Sequence, residues 1–489
     1  MSVHEHLSRV DLLVVAVYLL GITALGLYVS RRVGDATSFF IGGRRFGKLL
    51  MLGQTLSSGT HADQATGVMG ACYEIGLAGI WYQWMWLFTT PLYWVTAPVF
   101  RRLRLVTTAD FFALRYGRPL ATLYGLFALY LTMISIAMII KASATTVQAI
   151  SGFSEGTIMS VVSAAFLSFA FAGGLVAAAT TDFVQSIFIA FLSFAALPFG
   201  FHIVGGIKEL GARIPSQMHS LASPHEMTWF TVCMLIVVGS VGSVAQPGTM
   251  TQSASANTEM NSRIGNTYGN FFKRVCTIGW AVTGLLGAAL YPGLGTDHRE
   301  EILGIITVRL LPQGFAGLMI AAILASVMSS CSGLVVSGAA LVARNLYIPK
   351  GNRGDDRFEL KLGRIGTAAI ALGALALAVF MPSVVAGMIR FVTATPFLGV
   401  PIWIGICWRR ANRYGAWVSA LGSALVYYGC SALGWHFSIC SLVSLVFGVA
   451  SIIVVSLITP AEPSESLEKI FVALHSPVGR KTERVVACA

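Results

Sequence analysis

Apolar runs long enough to cross a bilayer follow one another through almost the whole of this 489-residue sequence. A hydrocarbon core about 30 Å thick needs about 20 apolar residues per helix. Inside it every backbone N–H and C=O must be satisfied within the chain, which leaves an all-α bundle as the fold for runs of this length. About thirteen such runs can be counted, among them residues 48–72, 157–176, 182–204, 228–249, 271–291 and 315–343. Composition agrees: 11% of residues are charged, against about 25% in a typical soluble domain, and mean hydropathy is +0.74. The transmembrane domain is expected over 1–458, with a short polar cytoplasmic tail over 459–489. That leaves no room for a soluble catalytic domain, so an enzyme is not expected.

The net charge of +12 does not point to nucleic acid. A nucleic-acid binder gathers its basic residues on one face or arm, whereas here they sit in short loops between apolar runs. With the N-terminus outside, 26 of the 33 lysines and arginines fall on the cytoplasmic side, as the positive-inside rule requires. The predicted orientation is N-terminus out and C-terminus in, in a plasma membrane (the inner membrane of a bacterium). Eight cysteines form no CxxC pair, so neither a zinc site nor a disulfide framework is indicated. Met1–Val10 lacks a basic start and a small-residue cleavage site, and the first apolar run is expected to be retained. The string Gly152-Phe153-Ser154-Glu155-Gly156 falls in a loop between two membrane helices, not on the strand-to-helix turn of a hydrolase.

Two of the apolar runs are interrupted, the second at Ser57-Ser58-Gly59-Thr60 and the seventh at Gly239-Ser240-Val241-Gly242-Ser243. Broken helices at matching positions of two halves are the sequence mark of an inverted-repeat transporter, because unwound backbone offers free carbonyls and N–H groups at mid-membrane. A core of five plus five helices follows, with one helix before it and two after.

Four strings carry a resemblance to the sodium/solute symporter family, which includes sodium/proline and sodium/glucose symporters. They are Phe39-Phe-Ile-Gly-Gly-Arg-Arg45, Phe171-Ala-Gly-Gly-Leu-Val-Ala-Ala-Ala-Thr-Thr-Asp-Phe-Val-Gln185, Ala321-Ala-Ile-Leu-Ala-Ser-Val-Met-Ser-Ser330 and Pro396–Gly405 with the Trp408–Ala416 loop. The resemblance implies a leucine-transporter-type core, sodium as the coupling ion and no other cofactor. It also implies a sodium site made by the side-chain oxygens of Ser329 and Ser330 and the backbone carbonyls of Ser57, Thr60 and Ser326. Ser326, Ser329 and Ser330 stand at i, i+3 and i+4, on one helix face, and oxygen ligands suit a hard cation. Asp182 is carried over as a residue near the cytoplasmic ion exit.

Ionisable residues within a membrane usually mark function, and Asp63 and Arg390 are the clearest. The resemblance places substrate contacts at Asp63, Gln64, Gln83, Trp86 and near Arg390. Arg390 would either clamp a solute carboxylate or neutralise Asp63. Val238 and Val241 stand where sugar-transporting relatives have polar groups, which argues against a sugar. His61 titrates in a range that suits proton coupling, and Lys141 and Lys273 read as helix-end residues that snorkel. The expected function is sodium-coupled symport of a small organic solute, carboxylate-bearing or zwitterionic, by alternating access. The rivals are proton coupling in the same fold and a transporter-like membrane sensor.

Overall fold

The computed structural model describes residues 8–224, 226–293, 301–346, 356–380 and 384–476. Met1 and the last residues of the tail, 477–489, lie outside them, as do Lys350 and Arg353, which the sequence places on the cytoplasmic side. The described residues contain helices and no strand. In chain order the first are α1 (Arg9–Ser30), α2 (Ala36–Ile41), α3 (Lys48–Ser58), α4 (Ala62–Ile75), α5 (Trp81–Trp84), α6 (Thr90–Leu103), α7 (Thr108–Tyr116) and α8 (Arg118–Ser151). Then come α9 (Glu155–Phe194), α10 (Ala196–Val204), α11 (Ile207–Arg213), α12 (Trp229–Gly242), α13 (Thr249–Ser255), α14 (Glu259–Leu290) and α15 (Ile302–Leu310). The last are α16 (Phe315–Leu341), α17 (Asp356–Val379), α18 (Val384–Ala394), α19 (Pro396–Cys407), α20 (Arg413–Ala432), α21 (Phe437–Ile458) and α22 (Ser464–His475).

Seven of these spans are long and apolar enough to cross a membrane unaided, or eight when α12 and α13 are taken as one broken span. The sequence counts more, for physical reasons. The 50-residue stretch Glu155–Val204 counts once among the seven, yet it is more than twice the length a crossing needs; Gly174, whose non-helical φ of 53° favours glycine, divides it into two helices, as the sequence does. A Cβ there would strike the Phe39 carbonyl. The 11-residue α3 and 14-residue α4 are each too short to span. The 32-residue α14 carries Glu259, Arg263, Lys273 and Arg274 along its length. The polar and broken helices are those that build the site.

Helix α16 is the axis of the fold, with 89% of its most apolar stretch buried by protein. Its N-terminus is fixed by Asp11 of α1, whose Oδ1 accepts from the Gly314 and Gly317 N–H groups at 2.8 and 2.7 Å. A carboxylate suits the positive end of a helix. Helix α14 lies along both halves of the broken α3–α4 pair. Gly265 and Gly269 pass over Met51 and Thr55 of α3, and Gly284 passes over Met69 and Cys72 of α4. Side chains at these glycines would push the helices apart: a Cβ on Gly269 would come within 2.6 Å of the Thr55 Cβ. At 1.5 Å per residue the contact runs for about 28 Å, so the middle of α14 faces the break.

Residues 464–475 of the tail form a helix rather than a purely polar extension. Ile470, Phe471 and Leu474 are buried with Phe112 and Tyr116 of α7, and Arg102 donates to the Leu474 carbonyl at 2.6 Å. The approach to this helix is fixed by Glu462, which accepts from the Arg413 side chain at 2.9 and 2.7 Å. That contact holds the Glu462 carboxyl below its ordinary pKa.

Candidate functional site

Between α3 and α4 the chain leaves the helix at Gly59, Thr60 and His61, within a residue of where the sequence puts the interruption. The unwound backbone meets the serine face of α16. Ser326 Oγ donates to the Thr60 carbonyl at 2.7 Å, and Ser57 Oγ donates to Ser329 Oγ at 2.7 Å. All of these residues, with Ser330, are at most 1% exposed. The Ser330 hydroxyl is buried without a hydrogen-bond partner, which native cores rarely tolerate. Four of the five residues expected to hold sodium therefore meet in two pairs where the break packs on α16, Ser57 and Ser326 through their hydroxyls rather than the carbonyls expected of them, and Ser330 presents an uncommitted oxygen.

Asp182, on α9 beyond the Gly174 kink, is 0% exposed. Its carboxylate is within reach of the Ser329 hydroxyl, yet neither oxygen lies in hydrogen-bonding geometry with a partner. The residue expected at the ion exit thus stands beside the serine cluster.

The second break lies farther along than the sequence suggests. Gly239 and Gly242 remain helical, and a short 3-10 turn follows over Ser243–Ala245. The chain then breaks at Gln246-Pro247-Gly248, and α13 departs at 60° to α12. Proline lacks an N–H and Gly248 has φ 88°, so this pair ends the helix, while the earlier glycines serve packing. A Cβ on Gly239 would come 3.4 Å from the Trp86 ring, and one on Gly242 would strike Thr395.

Both breaks open on one cavity of about 220 Å³, far more than a single water requires. Asp63, Gln64, Gln83 and Trp86 line it, as the resemblance implies, and so do His61 and Ser330. Arg390 does not: its neighbours Met388, Ile389, Phe391 and Val392 face the cavity while Arg390 is exposed on the other side of α18. The sequence reading of Arg390 as a clamp or as a partner for Asp63 is not what this geometry supplies. Positions 388, 391 and 392 share a helical face at i, i+3 and i+4, and 390 is off it.

The basic groups in the cavity are instead Lys273 and Arg274. Both are buried, at 5% and 4% exposure, so Lys273 does not snorkel. Its amine donates to the Gly59 carbonyl in the first break. Arg274 donates to the Gln83 carbonyl at 2.8 Å and to Gln83 Oε1 at 3.3 Å, so that Gln83 is already held by the protein. The sequence starts this span at 271, which puts both residues at its end. The helix starts at Glu259, which puts them about 21 Å along it. Lys141 is not a helix-end residue either: α8 continues to Ser151, ten residues beyond it, and its amine pairs with Glu155 at 2.8 Å. Asp63 is 3% exposed, with Oδ1 unpartnered except for His61 Nδ1 at 3.6 Å. The described residues hold no group of three or more His, Cys, Asp or Glu side chains fit for a transition metal.

Comparison with known proteins bears on the family and the fold. A profile of the sodium:solute symporter family matches residues 39–422. The sodium/proline symporter of Escherichia coli is 25% identical over 95% of this chain and 96% of its own length. The sodium/pantothenate symporter of Haemophilus influenzae is 25% identical over 88% of this chain and 92% of its own. Among solved structures, a sodium-coupled sialic acid symporter in a substrate-bound, outward-open state superposes with a TM-score of 0.81 at 18% identity, over 93% of this chain and 99% of that one. A likeness at that identity speaks for the fold.

Proposed function

From the premise that the chain belongs to the sodium:solute symporter family, we propose that it carries a small organic solute across the membrane with sodium, by alternating access. The contact of Ser57, in the last turn of α3, and of the unwound Thr60 with the α16 serines carries this reading. We assign the ion to Ser329 and Ser330 side chains with the carbonyls of Ser57, Thr60 and Ser326; the orphaned Ser330 hydroxyl supports the assignment. Asp182, buried beside Ser329, is assigned to the ion's passage to the cytoplasm. The solute site is the cavity lined by Asp63, Gln64 and Trp86, which adjoins the ion site because Ser330 faces both.

In this reading α3 to α19 form the five-plus-five core, with α1 before it and α20 and α21 after. The broken α3–α4 and α12–α13 pairs, with α5–α6 and α14, rock as a bundle against the rest. Sodium entering down about 100 mV supplies about 2.3 kcal/mol, and a tenfold gradient adds about 1.4 kcal/mol. The sum sustains a several-hundredfold accumulation of a neutral solute. Coupling follows if sodium and solute each bind the outward-open state better than the inward-open one.

The assignment is tested by thermal unfolding of the purified protein in sodium chloride, potassium chloride and choline chloride. A ligand of the native state alone raises the midpoint. Sodium is expected to do so and the other two cations are not; equal midpoints in all three would overturn it.

The N-terminus is assigned to the outside and the C-terminus to the cytoplasm. Moving Lys273 and Arg274 into the membrane leaves 24 of the 33 basic residues on the cytoplasmic side, so the bias survives. A reporter fused after Ala489 is expected to be cytoplasmic and a tag before Ser2 external; both ends on one side would contradict this.

A further inference from the structure

We propose that Lys273 and Asp63 form the two poles of a solute site for a zwitterion, the Lys273 amine holding its carboxylate and the Asp63 carboxylate its ammonium. The inference rests on the symport reading above and adds to it the class of solute. The two side chains come from different elements, α14 and the first turn of α4, and both line the cavity. They are 95% and 97% buried. Charged groups within a membrane commonly pair with one another, and breaking a buried pair is costly because it strands a charge. Yet no ion pair within 4 Å joins these two among the described residues, and Asp63 Oδ1 has no hydrogen-bond partner. The Lys273 amine has three hydrogens when protonated, and one contact, to the Gly59 carbonyl, ties it to the break.

An acid and a base left open to the same cavity define a ligand carrying both complementary charges. Each solute charge stabilises the charged form of the side chain it meets. A solute with only a carboxylate would leave Asp63 unmatched, and one with only an ammonium would leave Lys273 unmatched. The remaining charged residues do not compete. Arg274 is committed to Gln83, His61 Nε2 donates to the Ser58 carbonyl at 3.0 Å, so that the neutral ring has no proton on Nδ1 for Asp63, 3.6 Å away, and Glu226 stands exposed at the rim. Trp86, Met388 and Phe391 give the cavity an apolar wall, suited to the uncharged body of an amino-acid-like solute. Because Lys273 holds the Gly59 carbonyl, one residue before Thr60 of the sodium site, a carboxylate arriving at its amine acts directly on the segment that binds the ion.

The test uses the full-length purified protein in sodium chloride, with the proteinogenic amino acids and glycine betaine as probes and thermal unfolding as the readout. At least one zwitterion is expected to raise the midpoint. Its methyl ester, which lacks the carboxylate, and its N-acetyl derivative, which lacks the ammonium, are each expected to bind at least tenfold more weakly. Lys273→Gln is expected to weaken the zwitterion by as much while leaving the ester where it was. Asp63→Asn is expected to do the same with respect to the N-acetyl form. A panel in which no zwitterion binds, or in which ester and N-acetyl forms bind as tightly as the parent, overturns the proposal, and that comparison stands on the unmutated protein even if a variant fails to fold. The sodium-induced shift without solute separates the two readings. If it persists while the zwitterion arms fail, this proposal falls and symport stands; if it is absent, the ion site itself is wrong.

Discussion

Replacing Ser329 or Ser330 by alanine is expected to raise the sodium concentration for half-maximal uptake at least tenfold, with the protein still present in the membrane. Each substitution removes one oxygen from a site that has few. A hydrogen bond or ligand contact to a charged group is worth about 1.5–3 kcal/mol, which is roughly a ten- to hundredfold change in affinity. The apolar face of α16 is untouched, since a hydroxyl is replaced by hydrogen. Ser330→Ala is the cleaner of the two, because its hydroxyl has no partner in the protein to lose, whereas Ser329→Ala also deprives Ser57 of its acceptor. Thr367→Ala serves as control: its hydroxyl is equally buried but bonds back to the Gly363 carbonyl of its own helix at 2.9 Å. An unchanged sodium dependence in both serine variants would remove the ion from this place.

The second large effect separates Asp63 from Arg390. Asp63→Ala is expected to reduce uptake at least a hundredfold at equal membrane abundance, and Arg390→Ala to leave it within about twofold. The double variant should match Asp63→Ala alone, since residues that share no contact combine additively. If the two neutralised each other, each single variant would strand a charge and the double would regain much of the loss. Recovery in the double variant, or a dead Arg390→Ala, would place Arg390 in the site despite its exposed position on α18.

The parts legible in the sequence are those with a short-range signature. A Gly–Ser–Thr interruption inside an apolar run marked the first break to within a residue, and three serines on one face marked the helix that meets it. The second break was placed at Gly239–Ser243 because glycine both unwinds helices and lets them pack closely, and only the structure tells the uses apart. The Gln246-Pro247-Gly248 string was the better signal. Lys273 was misplaced because the first three turns of α14 are polar, so its apolar run begins at its middle and its basic pair looked terminal. Arg390 differs for the opposite reason: a charge in an apolar run suggests a side chain that points inward, whereas the helical phase of its neighbours turns it out. The tail helix α22 escaped notice because its three buried apolar residues occupy one narrow stripe in a polar segment.

Solute uptake into proteoliposomes tests coupling itself. With a candidate amino acid as labelled solute, an inward sodium gradient is expected to drive accumulation above the external concentration, and collapsing that gradient with a sodium ionophore to release it. An inward proton gradient without sodium should give equilibration only. Accumulation driven by protons alone, or undiminished when sodium is replaced by choline, would contradict sodium-coupled symport.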